Sequence, residues 1–306
     1  MRVTAKGRID DTIDICGHTI YPGYLLKGSR GCMMIEAGMD ILGPSYYRGI
    51  KRILGDRLHL DDLLVTHAHY DHAGSISYLK RRFPDVRLMG SSMTAMLFQK
   101  ENILKTMNFL SEQVWPYFED IKLNDAEKEE IRITSVPFTK GLKEGDVIDL
   151  GNMSCAVYET PGHTRDHLSF FIPEEGVLFP GEAFGNAIRE TEDVTKVEFL
   201  TSYTDYIRSM EKLTALLPQV KVIALSHLFF YTGDDVPRFA EMAMKDALRY
   251  KALIEEYLDR ENGDMEKAVE TMVRVEYDEK KSVYQERNAY VTNLKAQIKV
   301  VASLQA

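Results

Sequence analysis

The stretch His67-Ala-His69-Tyr-Asp71-His72 brings three imidazoles and one carboxylate into six consecutive residues. It directly follows the apolar run at residues 63–66, which predicts a buried strand. In an extended chain His67 and His69 point to the same side, so both can bind one metal ion. Asp71 and His72 lie beyond the strand end, where the chain can turn and face a second ion. Imidazoles and carboxylates are the ligands of hydrolytic Zn²⁺, Mn²⁺ and Fe²⁺ sites, and the stretch therefore predicts a metal centre.

Short apolar runs alternate with turn signals on both sides of this stretch. Short apolar runs between turn signals are typical of buried strands, and longer segments with helical spacing are typical of helices. Strands are expected at residues 24–26, 32–36, 86–89, at several positions between 131 and 180, and at 222–225, and helices at 45–54 and 202–217.

Residues 91–128 depart from this alternation, because their apolar residues recur at helical intervals. They predict one or two helices, which either cover a substrate cleft or pack into the core. The tail is also helical in pattern, and Asp235 with Pro237 forms a start signal for its first helix. Since no flexible linker interrupts the chain, we expect a catalytic domain at 1–235 and a helical extension at 236–306 packed on the same domain. Further helices of the extension are expected from about 265 and at 282–304.

The composition excludes several classes of protein. The net charge of −9 disfavours nucleic acid as the main partner, because a nucleic-acid footprint needs clustered positive charge. No segment reaches the about 18 uninterrupted apolar residues of a membrane span, and the N-terminus lacks the apolar core of a secretory signal. Three widely spaced cysteines fit reduced, buried thiols. We therefore expect a cytoplasmic protein that acts on a small-molecule substrate, with no nucleic-acid or membrane partner.

The His-rich stretch resembles the His-x-His-x-Asp-His signature of the metallo-β-lactamase superfamily. The helical tail adds a resemblance to the quinolone-signal response thioesterases, which carry a helical C-terminal cap. The resemblance covers about residues 15–235. Later motifs resemble those of the glyoxalase II branch and occur in the expected order: Thr160-Pro-Gly-His163-Thr, then Leu178-Phe-Pro-Gly-Glu182, then Leu225-Ser-His227.

The resemblance implies an α/β fold, the αβ/βα sandwich of that superfamily, with an appended C-terminal helical cap. It also implies two divalent metal ions, which could be Zn, Fe or Mn. Position 182 departs from the family pattern, which has Asp, and the extra methylene puts full occupancy of the second site in question. The implied ligands are His67, His69 and His163 for one ion, Asp71, His72 and His227 for the other, and Glu182 as the bridging carboxylate.

Five residues are candidates for roles around the ions. His167 is expected to orient a ligand from outside the coordination sphere. Tyr70, Phe229 and Tyr231 are expected to line the substrate pocket, with core packing as the alternative for Tyr70. Asp71 is given a catalytic role besides metal binding, because its carboxylate can steer the proton of the attacking water.

A metal ion lowers the pKa of bound water from 15.7 toward about 7, which makes hydroxide available at neutral pH. The sequence therefore predicts a metal-dependent hydrolase that uses a metal-bound hydroxide on a thioester or related carboxylic ester. The apolar 91–128 region and the aromatic residues beside His227 favour a bulky or apolar acyl group. A phosphodiesterase or lactonase on the same dinuclear site, and a non-catalytic ligand-binding or regulatory protein, are the alternatives. The C-terminal helices also carry enough apolar surface for a homodimer interface.

Overall fold

A computed structural model of the chain describes residues 1–305, which fall into two units. The first unit comprises Met1–Glu159, Asp166–Gly181 and Gln219–Gly233, and the second comprises Thr160–Arg165, Glu182–Pro218 and residues 234–305. Ala306, the last residue of the predicted extension, lies outside the described residues. The second unit thus draws on two segments that precede residue 235, and the division into 1–235 and 236–306 stays a prediction.

The strands of both units, in chain order, are β1 (Arg2–Thr4), β2 (Ile13–His18), β3 (Tyr21–Lys27), β4 (Cys32–Ile35), β5 (Asp62–Leu64), β6 (Arg87–Ser91), β7 (Lys140–Leu142), β8 (Val147–Asp149), β9 (Ser154–Glu159), β10 (Leu168–Ile172), β11 (Val177–Phe179), β12 (Asn186–Ala187), β13 (Thr195–Lys196), β14 (Val222–Ala224) and β15 (Phe229–Thr232). The helices are α1 (Gly43–Leu54), α2 (Tyr70–Ala73), α3 (Ile76–Arg82), α4 (Ser92–Leu97), α5 (Glu101–Val114), α6 (Asp125–Ile131), α7 (Tyr203–Thr214), α8 (Asp235–Arg260), α9 (Met265–Met272) and α10 (Arg287–Gln305). Short 3₁₀ segments lie at Asp40–Leu42, Gly55–Arg57, Trp115–Tyr117 and Leu217–Gln219, and a π-helical segment lies at Val273–Glu279.

The first unit contains two sheets. One has the strand order β1-β15-β14-β11-β10-β9-β8, and the other has the order β2-β3-β4-β5-β6-β7. Side chains from both sheets share one hydrophobic cluster, in which Tyr24 of β3 packs against Phe179 of β11 with ring centroids 5.0 Å apart. The two sheets therefore face each other as the layers of a sandwich.

Strand β5 lies at Asp62–Leu64, shifted from the predicted 63–66, and explains why consecutive residues before the His-rich stretch are apolar. Leu64 belongs to the cluster between the sheets, whereas Leu63 belongs to a second cluster that the sheet forms with α1, α3 and α5. A strand buried on both faces has no alternating polar positions. Because β4, β5 and β6 run parallel, their carboxyl ends lie along one edge of the sheet, and the residues after β5 emerge at that edge.

The second unit is mainly helical. The short strands β12 and β13 pair antiparallel, and α8, α9 and α10 pack on one another. Helix α8 buries Phe239, Ile254 and Tyr257 along one face, as the apolar spacing of the tail predicts. Among residues 1–305, no helix combines the length and the apolarity needed to cross a bilayer. The cytoplasmic location and the homodimer stay predictions.

Helices occupy the 91–128 region as predicted, whereas the starts of α1 and α10 differ by two or more residues from the sequence expectation. Helix α1 begins at Gly43 instead of residue 45, because Pro44 is tolerated in a first turn, where its missing amide hydrogen costs nothing. Helix α10 begins at Arg287 instead of residue 282. The amide of Ser282 donates to the carbonyl of Glu276 and so ends the π-helical segment before α10 can start.

Candidate metal centre

Asp71, His72 and His227 bring three ligand atoms together within the first unit. The Nε2 atoms of His72 and His227 lie 3.2 Å apart, and each lies 3.8 Å from Oδ2 of Asp71. Ligands bound tetrahedrally at about 2.1 Å from one ion are separated by roughly 3.4 Å, so this triangle has the size that a single ion requires. Two imidazoles and one carboxylate are also a suitable donor set for Zn²⁺, Fe²⁺ or Mn²⁺. The residues present therefore fit a divalent metal ion.

Local structure places these three side chains at strand ends. Asp71 and His72 lie in α2, which begins directly after His69, a residue with extended backbone. His227 lies in the tight connection between β14 and β15, where Leu228 has a φ of 62°. His72 is buried, whereas Asp71 and His227 are partly exposed. Two of the three ligands are therefore accessible to solvent, and the third is buried behind the surface.

His67 and His69 lie between β5 and α2. Their ring centroids are 4.5 Å apart in an edge-to-face arrangement, and the ring centroid of His67 is 4.2 Å from that of His72. His67 is fully buried and His69 is half-buried. The structure thus brings the imidazoles of the His-rich stretch into one cluster, in which the two halves of the motif are neighbours.

Glu36 contacts this cluster, although the sequence did not single it out. It follows β4 with a φ of 69° and is buried, and its Oε1 accepts hydrogen bonds from the hydroxyls of Thr66 (2.7 Å) and Ser226 (2.8 Å). Nδ1 of His72 lies 3.2 Å from the same oxygen. Because Thr66 gives its proton to Glu36, its own oxygen accepts from Nδ1 of His67 at 2.9 Å. Glu36 thereby keeps the protons of both imidazoles on Nδ1 and leaves their Nε2 atoms for a metal.

Asp166 holds the main chain between the first two histidines. Its Oδ2 accepts a hydrogen bond from the amide of Ala68 at 2.9 Å and one from the hydroxyl of Thr94 at 2.7 Å. All three residues are buried, so these bonds are shielded from water and fix the loop. The sequence did carry a signal for Glu36, because a carboxylate directly after four apolar strand residues needs a buried partner. Asp166 gave no comparable signal.

His167 is buried beside His67, with ring centroids 5.1 Å apart. Gly181 has a φ of 57°, and a Cβ at that position would lie 2.5 Å from Nε2 of His167. Glycine therefore leaves the room that the imidazole occupies. The role expected for His167, orienting a ligand from outside the coordination sphere, stays a prediction.

In the second unit, His163 and Glu182 form another pair of converging ligand atoms. Nε2 of His163 lies 3.0 Å from Oε2 of Glu182, and both residues are buried. Oε1 of Glu182 accepts a hydrogen bond from the side-chain amide of Asn186 at 2.6 Å. The side chain of Glu182, longer than the aspartate of the family pattern, thus places one oxygen next to the imidazole of His163. Its other oxygen is held by Asn186. The assignment of His163 to the same ion as His67 and His69 stays a prediction.

The loop that carries His163 is held against α7. The hydroxyl of Ser209 donates to the carbonyl of Pro161 at 2.7 Å. Gly162 has a φ of 132°, and a Cβ there would lie 2.3 Å from Cα of Tyr206. The glycine of the Thr-Pro-Gly-His motif is therefore required by its backbone conformation and by the close approach of the helix.

Two opposing effects set the electrostatics of His163. Burial is the largest single effect and disfavours the imidazolium, but the charge and hydrogen bond of Glu182 together with Glu198 outweigh it, and the pKa of His163 is raised. The main-chain carbonyl of Glu198, 2.7 Å from Nδ1, acts in the same direction as Glu182. The surroundings of this imidazole therefore favour a cation, whether a proton or a metal ion.

Aromatic side chains adjoin His227 in the first unit. Tyr21 packs edge-on against His227 with ring centroids 5.0 Å apart, and Phe118 packs against Tyr21 at 6.2 Å. Phe118 is buried and belongs to the 91–128 region for which an apolar cleft was one expectation. Tyr21 and Phe118 were not candidates, because no sequence pattern links two residues that far apart in the chain. We call Tyr21 and Phe118 the aromatic pair.

The three predicted pocket residues have different surroundings. Phe229 and Tyr231 are buried on β15, and the guanidinium of Arg2 lies 4.4 Å from the ring centroid of Phe229. Tyr70 is half-buried at the start of α2 and packs against the cluster of α1, α3 and α5. Contact of these three side chains with a substrate stays a prediction.

Comparison with known proteins matches residues 21–227 to the metallo-beta-lactamase superfamily. A hydroxyacylglutathione hydrolase of Rhodopseudomonas palustris is 31% identical over 123 residues, which are 40% of this chain and 33% of that protein. The acyl-coenzyme A thioesterase MBLAC2 of Gallus gallus is 24% identical over 230 residues, 71% of this chain and 76% of that protein. The solved structure of a metallo-beta-lactamase family protein from Thermus thermophilus superposes with a TM-score of 0.63 at 18% identity, covering 94% of this chain and 89% of that chain.

This chain spans about a third of the length of the hydroxyacylglutathione hydrolase and about three quarters of the thioesterase. Both relatives are named as enzymes that hydrolyse, which agrees with the enzyme class expected from the sequence. The solved structure confirms the expected α/β sandwich with C-terminal helices. Because the family match covers more than half of the residues and every predicted ligand, the chain belongs to the metallo-beta-lactamase superfamily.

Proposed function

We propose that this chain is a metal-dependent hydrolase that cleaves thioesters or related carboxylic esters. The observation that carries the proposal is the triangle of Asp71, His72 and His227, whose ligand atoms have the separations that one ion requires. We propose a second ion on the three remaining histidine ligands, with Glu182 as the carboxylate shared by both ions. The motif order of the superfamily supports this assignment, and Zn²⁺, Fe²⁺ and Mn²⁺ are all suited to such donors.

When bound, the ions would supply an acidified water and polarise the substrate carbonyl. The carboxylate of Asp71, whose Oδ2 is the ligand atom, would orient the attacking water through its other oxygen, accept a proton from it and pass that proton to the leaving thiolate or alkoxide. Glu36 would keep Nδ1 of His72 protonated, so that the imidazole stays a ligand throughout the reaction. No side-chain nucleophile is needed, since the hydroxyl of Ser226 donates to Glu36 and burial raises the pKa of the Cys16 thiol to about 12.

The substrate class is proposed from the surroundings of His227. Tyr21, which is partly exposed, offers apolar surface beside a metal ligand, and the buried Phe118 supports its ring, which suits an acyl chain better than a phosphate ester. The thioesterase relative is named for acyl-coenzyme A, and this supports an acyl thioester as the substrate. A simple lactone has no long acyl chain that could contact the aromatic pair. Only a lactone that carries an acyl chain of its own could do so.

The test measures initial rates of metal-free protein reloaded separately with Zn²⁺, Mn²⁺ and Fe²⁺. The panel contains acyl-coenzyme A esters from two to twelve carbons, an acyl-homoserine lactone and a bis-aryl phosphate. His69→Ala should abolish turnover, whereas His59→Ala should not, because His59 is exposed, with 63% of its side chain accessible. Turnover of the phosphate alone would favour the phosphodiesterase. No turnover with at most one ion per chain would favour a binding protein.

The aromatic pair gives a sharper test of the acyl preference. Phe118→Ala should raise KM about tenfold for a twelve-carbon acyl group, a loss of about 1.4 kcal/mol of binding free energy. The same variant should leave KM for the acetyl ester unchanged, because a two-carbon group has little apolar surface to lose. An equal change for both esters would contradict a role of Phe118 in acyl binding.

A further inference from the structure

Glu198 lies in the second unit, two residues after β13, and contacts His163 through its main chain. Its carbonyl oxygen lies 2.7 Å from Nδ1 of His163. An imidazole that donates from Nδ1 to a carbonyl presents the lone pair of Nε2, the atom that lies 3.0 Å from Glu182. The position of one main-chain carbonyl therefore sets both the tautomer and the direction of this ligand.

The side chain of the same residue anchors that carbonyl. Oε1 of Glu198 accepts hydrogen bonds from the amide of Gln285 at 3.1 Å and from the amide of Asn293 at 2.6 Å. Oε2 lies 3.4 Å from Nζ of Lys196. The carboxylate is buried, so these charge-assisted bonds are worth more than they would be in water.

Helix α10 holds the preceding residue as well. The amide of Gln297 donates to the carbonyl of Val197 at 3.1 Å. Asn293 and Gln297 are four residues apart in α10 and therefore lie on the same face of the helix. Helix α10 thus forms hydrogen bonds to two consecutive residues, Val197 and Glu198, and Glu198 contacts His163.

Packing alone would not hold Glu198 in place. Glu198, Gln285 and Gln297 line a cavity of about 430 Å³ within the second unit. Where a cavity adjoins a side chain, fewer packed neighbours restrain it, and hydrogen bonds carry more of the restraint. Removal of one amide donor would therefore let the segment at 197–198 move.

A direct role of Glu198 as a metal ligand is the competing explanation, since one of its oxygens lies within 4.8 Å of the ligand atoms of His163 and Glu182. Both oxygens, however, are already engaged by two amides and an ammonium group. Nδ1 of His163, the imidazole nitrogen nearest to Glu198, is engaged by the carbonyl of Glu198 itself. The contacts favour action through His163 over coordination.

We infer that Glu198 is a positioning residue for the metal ligand His163 and that the amides of Asn293, in the C-terminal helix, and of Gln285, two residues before that helix, couple the C-terminal segment to metal binding. This inference rests on the metal centre of the proposed function. Loss of an outer partner of a ligating histidine commonly weakens metal binding by about 10–100-fold. We expect a loss of that size for one ion per chain when Glu198 or its donors are changed.

The experiment compares wild type with Glu198→Gln, Asn293→Ala and Gln285→Ala. Asn288→Ala is the matched control, because Asn288 is an exposed residue of the same helix. Zn²⁺ affinity is measured by competition with a chromophoric chelator, and folding is checked by the melting temperature of the metal-free proteins. Long-range ¹H–¹⁵N spectra of the Zn²⁺-loaded proteins report which imidazole nitrogen carries the proton, a property that a merely structural role would not change.

The expected result is that one of two Zn²⁺ ions binds about 10–100-fold more weakly in the three variants, with the control unchanged and the Nδ1–H signal of one histidine broadened or shifted. Wild-type affinity for both ions in Asn293→Ala and Gln285→Ala would overturn the inference while leaving the proposed function intact. Wild-type protein that binds no Zn²⁺ would overturn the proposed metal centre itself. If Glu198→Gln fails to fold, the two amide variants decide.

Discussion

Glu36→Gln is the substitution that tests most directly how the metal ligands are prepared. The carboxylate of Glu36 accepts from two hydroxyls and from Nδ1 of His72 through a single oxygen, and its other oxygen is buried without a hydrogen-bond partner. A glutamine can keep one acceptor oxygen in that position. Its amide group must then occupy the place of the second oxygen, a buried position that makes no hydrogen bond within the described residues.

Two losses follow from this geometry. Three hydrogen bonds lose the assistance of a charge, and an amide donor is introduced at a buried position, where a donor that finds no acceptor costs about 1–3 kcal/mol. The imidazole of His72 also becomes a weaker ligand, because it no longer donates to a carboxylate. We expect Zn²⁺ affinity to fall about 10–100-fold, which corresponds to about 1.4–2.7 kcal/mol, and turnover at limiting metal to fall in parallel.

The assay is chelator competition for Zn²⁺ together with urea unfolding of the metal-free protein. Glu129→Gln is the control, because it makes the same chemical change on α6, where 77% of the side chain is exposed. Wild-type metal affinity in Glu36→Gln would refute the argument that this carboxylate fixes the tautomer of His72. A fall in unfolding free energy with unchanged metal affinity would show that Glu36 stabilises the fold alone.

Three further predictions concern the surroundings of the site. Asp166→Ala leaves the buried amide of Ala68 without its acceptor, whereas the hydroxyl of Thr94 keeps the hydroxyl of Ser91 as a partner. The free energy of unfolding should therefore fall by about 1–3 kcal/mol in urea denaturation, and an unchanged value would contradict the role of Asp166 in the loop. Gly162→Ala forces a Cβ into the backbone of α7 at a residue whose φ is 132°. We expect the free energy of unfolding to fall by more than about 3 kcal/mol and the melting temperature to fall with it. An unchanged melting temperature would contradict the close approach of α7 to Gly162. Burial raises the pKa of the thiols of Cys16 and Cys32 to about 12. Because only the thiolate reacts, modification of the folded protein by an aromatic disulfide should be slow at pH 8 and should accelerate about tenfold per pH unit. Rapid modification of the folded protein at pH 7 would contradict these pKa values.

The sequence alone predicted the α/β sandwich, the helical tail and the family, and it did so for a local reason. A buried strand leaves a continuous apolar run at 63–66, and ligand spacing at a strand end is written in adjacent residues. Asp71 and His72 are adjacent in α2, so a single helical turn after the strand is enough to bring their ligand atoms together. The order of motifs predicted His227 as a ligand, but the 3.2 Å distance between its Nε2 atom and that of His72 could not be predicted from the sequence.

Helix boundaries illustrate a second limit. The apolar spacing of the tail predicted three helices, but α10 begins at Arg287 and not at residue 282 as expected. The amide of Ser282 donates to the carbonyl of Glu276, so Ser282 does not begin a new helix. The π-helical segment at Val273–Glu279 gave no signal either, since its apolar residues fit an ordinary helix equally well. Local hydrogen-bond competition of this kind depends on where the preceding helix ends.

The sequence by itself determined which side chains can bind metal, because donor chemistry belongs to the residue type and the spacing to the local chain. Only the tertiary structure decided which groups hold those ligands in place. Ser226 reaches Glu36 across 190 residues, Asp166 reaches Thr94 across 72, and Asn293 reaches Glu198 across 95. A hydrogen bond between segments so distant leaves no periodic pattern in either, so these partners become visible only when folding has brought the segments together.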